Sequence, residues 1–129
     1  MTAKVPRQKK TGDLRIKRVY APATADDGLR VLVDRLWPRG IAKAKARIDL
    51  WLKDIAPSDA LRRRFHGDSS KWPEFVAAYD SELRREPAST AVASLREHLH
   101  SRPVTLLYAA RDETHNNAVA LKAWLEGPT

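Results

Sequence analysis

The chain contains no cysteine. That excludes disulfides, thiolate metal sites, iron–sulfur clusters and a cysteine nucleophile, and it fits a reducing compartment. Glycine is scarce, with five in 129 residues. None falls in a GxGxxG or GxxxxGK pattern, so the glycine-rich phosphate loops are ruled out. The G-x-S-x-G nucleophile elbow is absent as well. No apolar run approaches the ~20 residues of a membrane span. The stretch Met1–Asp13 has no apolar centre of the secretory kind. The expectation is a cytoplasmic protein with no membrane partner. No two histidines have zincin spacing, and His98 and His100, two apart, cannot share a helix face. No metal site is expected.

What is present is ordinary in amount and unusual in sign. Hydrophobic residues make up 43% of the chain and charged residues 31%, a globular balance that argues against disorder. At this length one core can form without staples. The formal net charge is +8, which favours an anionic partner and says nothing of fold. Residues 1–13 hold Lys4, Arg7, Lys9 and Lys10 against Asp13. They have no hydrophobic period and are expected to form a basic flexible tail, followed by a single domain over 14–129. The domain therefore carries the larger part of the excess charge.

Hydrophobic patterning places the elements. In Leu14–Ala21, Leu14 and Ile16 alternate with Arg15 and Lys17, a strand with one exposed face. Leu29–Asp34 contains Val31, Leu32 and Val33 without alternation, as in a strand buried on both faces. Pro38-Arg39-Gly40 breaks the chain. Ile41–Arg47 is ambiguous between a turn and a short helix. Ile48–Lys53 alternates and predicts a third strand. Ser58 is an N-cap for a short helix through Phe65, ended by His66-Gly67-Asp68. Lys71–Arg85 is the clearest helix, with Trp72, Phe75, Val76, Tyr79 and Leu83 on one stripe. Pro87 opens another helix, with Val92, Leu95 and Leu99 inward. Val104–Ala110 is the best central strand. His115–Glu126 is the last helix, with Asp112 or Thr114 as its cap, and it is stopped by Gly127-Pro128. The fold class expected is α/β: a small single domain with a mostly parallel sheet of three to four strands flanked by helices.

Two stretches carry the chemistry. Tyr108-Ala109-Ala110-Arg111-Asp112-Glu113-Thr114-His115-Asn116-Asn117 leaves a buried strand, crosses a polar loop and enters a helix. In open α/β sheets ligands bind outside the carboxyl ends of strands, and a helix start favours an anion. Arg111 is a bidentate partner for phosphate or carboxylate. His115 and Asp112 are the pair that would exchange a proton were there a reaction. Asp34-Arg35-Leu36-Trp37-Pro38-Arg39-Gly40 also follows a buried strand. If the two strands are neighbours, Arg35 and Arg39 meet Arg111 over one crevice, with Asp34 as their internal counter-charge. Trp37 would wall such a pocket, and Asp54 would reach it from the third strand.

At these positions the sequence resembles a known family. GLRVLVDRLWPRG (28–40), WLKDIAPS (51–58) and TLLYAARDETHN (105–116) are similar to the domain of unknown function family 488, in its short YeaO-like branch. The resemblance spans roughly residues 14–126. The residues that match the family's motifs include Asp34, Arg35, Trp37 and Arg39 in the first segment. Asp54, Pro57 and Ser58 match in the second, and Tyr108, Arg111, Asp112, His115 and Asn116 in the third. The family implies a small cytosolic bacterial α/β domain and no established activity or cofactor. Relatives often carry a second histidine where this chain has Asn117.

Two functions are expected from the residues. The leading one is a pocket that binds a small anionic, phosphate-bearing ligand through Arg35, Arg39 and Arg111, with Asp34, Trp37, Asp54, Tyr108 and Asn116 around it. The alternative is a nucleic-acid-binding module. It would use the tail and the basic run Arg35, Arg39, Lys43, Lys45 and Arg47, although no helix-turn-helix or paired stacking aromatics accompany it.

Overall fold

The computed structural model describes residues 13–65 and 68–127. The basic tail, apart from Asp13, lies outside the described residues, as do His66, Gly67 and Pro128. Four strands form one sheet: β1 (Leu14–Arg18), β2 (Leu29–Leu32), β3 (Leu50–Trp51) and β4 (Val104–Tyr108). Their order is β1-β4-β2-β3 and every pairing is parallel. The strand latest in sequence is therefore interior, between the two earliest. That explains why Val104–Tyr108 is buried throughout and reads as a run without charge or alternation.

The α-helices among the described residues are α1 (Asp59–Arg64), α2 (Trp72–Leu83), α3 (Ala88–Ser101) and α4 (Asn117–Glu126). They supply one large core with Leu14, Leu29, Val31, Val33, Val104 and Leu106, which are alternate strand positions and so one face of the sheet. The opposite face has a smaller core. There Val19, Leu32 and Leu107 are covered by Trp37, Ile41, Ile48 and Trp51, from the segment that joins β2 to β3 and from β3 itself. The fold is a small α/β domain with helices on one face and an irregular cover on the other.

Several expected elements change extent. The third strand shrinks to Leu50–Trp51 because a 3₁₀ turn over Lys53–Ile55 pulls the chain out of the ladder. Ile41–Arg47 resolves into a 3₁₀ turn at Lys43–Lys45. Val76 is 37% exposed; the inward stripe of α2 is Phe75, Tyr79 and Leu83, and Val76 falls beside it. The last helix starts at Asn117, and its cap is Asn116, whose side chain accepts from the Val119 amide at 2.9 Å. Ser58 caps α1 as expected, accepting from Leu61 N.

Two features fix β2 against β4. Gly28 has φ +66°, and a Cβ there would sit 2.2 Å from the Pro103 carbonyl oxygen. The next residue, Leu29, donates its amide to that same oxygen at 2.9 Å. Beside it lies a buried ionic cluster. Asp27 accepts from Arg30 Nη1 at 2.6 Å and from Lys17 Nζ at 2.8 Å, and its backbone oxygen accepts from Thr105 Oγ1 at 2.7 Å. Asp27, Arg30 and Thr105 are all at most 5% exposed.

Candidate functional site

The site is built by the carboxyl ends of β1, β2 and β4. Because the strands are parallel and adjacent, the residues that follow them emerge on one edge: Arg18 and Tyr20, Asp34 to Arg39, and Ala109 to Asn117. Between these segments and the starts of α1 and α2 opens a cavity of about 990 Å³. Arg18, Arg35, Arg39, Arg62 and Arg111 line it, against Asp34, Asp68 and Asp112.

Asp34 is the hub of the strand ends. Its Oδ2 accepts from the Ala109 amide at 2.9 Å and its Oδ1 from Asn117 Nδ2 at 3.1 Å. Its backbone oxygen accepts from Trp51 Nε1 at 2.7 Å. Asn117 Nδ2 also donates to the Val33 carbonyl at 2.9 Å. One carboxylate thus ties β2 to β4 and to the first turn of α4. Burial pushes its pKa up; the Ala109 amide, the Asn117 amide and the charge of Arg62 pull the other way and do not offset it. The expected pairing of Asp34 with an arginine is not what the structure shows. Its neighbours are amides, because the strand-end geometry delivers Ala109 N–H and the α4 start to it first.

The arginines divide into two kinds. Arg18 donates to the carbonyls of Ala109 and Ala110, both at 2.9 Å, and lies over the Tyr20 ring. Arg35 donates to the carbonyls of Ala56 and Pro57 at 3.2 and 3.4 Å. Both brace the walls. Arg39 offers its carbonyl to the Tyr20 hydroxyl at 2.9 Å. Arg39 and Arg111 are exposed, and neither enters an ion pair among the described residues. They are the cations left for a ligand.

The loop after β4 is ordered by Asp112. Its Oδ1 accepts from the amides of Thr114 and His115, both at 2.9 Å, and these amides hold its pKa down to about 2. His115 Nδ1 lies 3.4 Å from Asp112 Oδ2 and 3.0 Å from Thr114 Oγ1. Its ring meets Trp72 edge-on at 5.2 Å. His115 stands two residues before α4, so it reaches the cavity from the loop and not from the helical turn that was expected.

Asp34, Arg35, Trp37, Arg39, Arg111, Asp112, His115 and Asn116 therefore share one cavity. Trp37 serves two roles. It lines this space, and it packs in the smaller core with its Nε1 on the Ile41 carbonyl at 2.7 Å. Two expected residues are placed elsewhere. Asp54 is exposed in the 3₁₀ turn after β3, and Tyr108 is buried on the helical face; neither lines the cavity. Sequence reasoning passed over Arg18, Trp72, Phe75 and Asn117 as cavity residues. Trp72 and Phe75 fitted the hydrophobic stripe of α2 and so read as core only. For Asn117 the signal was its place beside the matched motif.

Among the described residues no group of three or more His, Asp or Glu side chains is placed to hold a metal ion. No helix among them is long and apolar enough to cross a membrane.

The architecture and its strand-end crevice define a small all-parallel α/β domain with an arginine-lined pocket. The chain belongs to the DUF488 family: a family model described as "Inactive DUF488-N3 subclade" matches residues 13–129. It is 43% identical over 114 residues to the uncharacterized protein YeaO of Escherichia coli, covering 88% of this chain and 96% of that one. It is 40% identical over 114 residues to the uncharacterized protein Rv3073c of Mycobacterium tuberculosis, covering 88% and 94%. No solved structure matches the chain significantly.

Proposed function

We propose that the strand-end cavity binds a small anionic ligand carrying a phosphate, with Arg39 and Arg111 as its direct cationic contacts. The observation that carries this is the pair of exposed guanidinium groups on a cavity whose other arginines are engaged, Arg18 and Arg35 with carbonyls and Arg62 with Asp59. Both groups are exposed on the same cavity, and a guanidinium fits phosphate in a bidentate way. Arg18 and Arg35 hold the walls, and Asp34 with Asn117 holds the strand ends in register. Were a proton exchanged with the ligand, His115 would carry it, with Asp112 beside its Nδ1. The description of the matched family as inactive favours binding without turnover, in which His115 is one more donor to the anion.

The test is a thermal-unfolding screen against nucleotides, sugar phosphates and simple anions, on wild type and Arg111→Ala. A ligand at 100 times its dissociation constant adds about 2.7 kcal/mol, a visible shift in the midpoint. The shift is expected in wild type and lost in the variant, with the unliganded midpoint unchanged because Arg111 is exposed. An unchanged ligand shift in Arg111→Ala refutes the assignment.

A second reading has one observation of its own. Lys43, Lys45 and Arg47 are exposed on the segment that covers the opposite face of the sheet, where Lys45, Arg47 and Arg30 line a second cavity of about 720 Å³. Such a surface suits a phosphate backbone. It predicts affinity for DNA or RNA that falls steeply with salt and weakens on deletion of residues 1–13.

A further inference from the structure

The anion site accounts for the arginines and leaves half of the cavity unexplained. Phe65, Trp72, Phe75 and Trp37 line the same space. Trp72 and Phe75 stack with centroids 5.4 Å apart at 18°, and Phe65 meets Phe75 edge-on at 6.2 Å. The arginine-bearing loops follow the strands, whereas this wall comes mainly from the end of α1 and the start of α2. A lone phosphate needs no aromatic wall and fills little of about 990 Å³. A sugar phosphate would ask for polar partners where the cavity offers rings. Flat aromatic surface is recovered from water when another flat ring covers it.

We propose that the ligand is a free mononucleotide, its base against the partly exposed Trp72 ring, which Phe75 backs from the core, and its phosphate on Arg39 and Arg111. This rests on the anion-site reading and adds the identity of the rest of the ligand. The size agrees, since pockets for small molecules run to about 1,000 Å³. The polar groups agree as well. Asn117 lines the cavity with its amide nitrogen committed to Val33 O and Asp34 Oδ1. Its Oδ1 is left as an acceptor for an exocyclic amine of a base.

The test uses the full chain and four nucleoside 5′-monophosphates, with ribose 5-phosphate, inorganic phosphate, a free nucleoside and a short single-stranded DNA alongside. Calorimetric titration is expected to show at least one mononucleotide bound about tenfold or more tightly than ribose 5-phosphate, the range a stacked base supplies. Trp72→Leu, which keeps apolar bulk and removes the ring, is expected to erase that preference and leave ribose 5-phosphate binding as it was. Trp72→Phe, which keeps a ring, is expected to retain most of it and covers the case in which Trp72→Leu fails to fold. Equal affinity for mononucleotide and ribose 5-phosphate overturns the nucleotide assignment and leaves the anion site standing. Binding of none of the phosphates overturns both. Binding of the DNA strand with no mononucleotide bound overturns the free-nucleotide assignment in favour of a nucleic-acid module.

Discussion

Asp27 shows what one buried charge does in this protein. Burial pushes its carboxyl pKa up, but the Lys17 ammonium, the Thr24 amide and the Arg30 guanidinium together hold it well below the usual carboxylate range. A carboxylate depressed on folding contributes stability that is complete above its unfolded pKa, about 3.9, and is lost as pH falls through the folded value. Unfolding free energy is therefore expected to drop as pH falls below about 4. Asp112, held down to about 2 by backbone amides, adds a smaller loss in the same direction. Asp27→Asn removes the charge from Arg30, whose side chain is 6% exposed, while Lys17 at 23% can turn towards water. Breaking a buried pair from one side costs about 3–5 kcal/mol, and the hydrated lysine places this case near 3 kcal/mol. Urea unfolding at pH 7 measures the loss. The same titration at pH 3 is expected to show a smaller difference between variant and wild type. An equal gap at both pH values refutes the account.

At the scale of elements, the approach of β2 to β4 depends on a missing side chain. Gly28 adopts φ +66° with the Pro103 carbonyl where a Cβ would go. Gly28→Ala is expected to cost at least about 2 kcal/mol, from the left-handed conformation and the forced displacement together. Gly40, at φ +76° with open space around it, is the control: Gly40→Ala should lose only the conformational part, about 1 kcal/mol. Equal melting points for the two variants would show that the close approach is not rigid. The elements also show what a sequence discloses. Val31–Val33 and Val104–Tyr108 were legible as doubly buried strands because no charged residue interrupts either run and the one polar residue, Thr105, is β-branched. Arg111 and Arg39 were legible as residues of a strand-end crevice because each follows such a strand. The aromatic wall was not. Trp72 and Phe75 satisfy the helical stripe of α2 so well that periodicity gives no hint of a second duty, which arises only when α2 is laid beside the loop of His115. Likewise Asp34 offered its charge as a partner for arginine, and only the strand order shows that amides reach it first.

On the scale of the molecule, the two faces of the sheet divide the work. The helical face holds most of the buried apolar surface, and the opposite face, under an irregular cover, holds the ionic cluster of Asp27, Arg30 and Lys17. The strand-end cavity lies between them, at the carboxyl ends, and its exposed residues, Arg39 and Arg111 among them, belong to neither core. For this reason Arg111→Ala is expected to separate binding from folding. The membership in DUF488 and the relatives named above extend these expectations to proteins that share the motif segments.

The interior position of β4 also sets a schedule. Leu14 pairs with Val104 and Leu29 pairs with the same residue, so neither early strand has its main partner until the chain has been made past Tyr108. A ribosome delivers residues in order, and during most of synthesis β1 and β2 wait with an empty place between them. Only the two-residue ladder to β3 can form early. Assembly of the sheet is thus a late and nearly simultaneous event, slow by the measure of sequence separation. A fragment ending at residue 102 is expected to show no cooperative unfolding transition. Adding a peptide of residues 103–129 is expected to restore one.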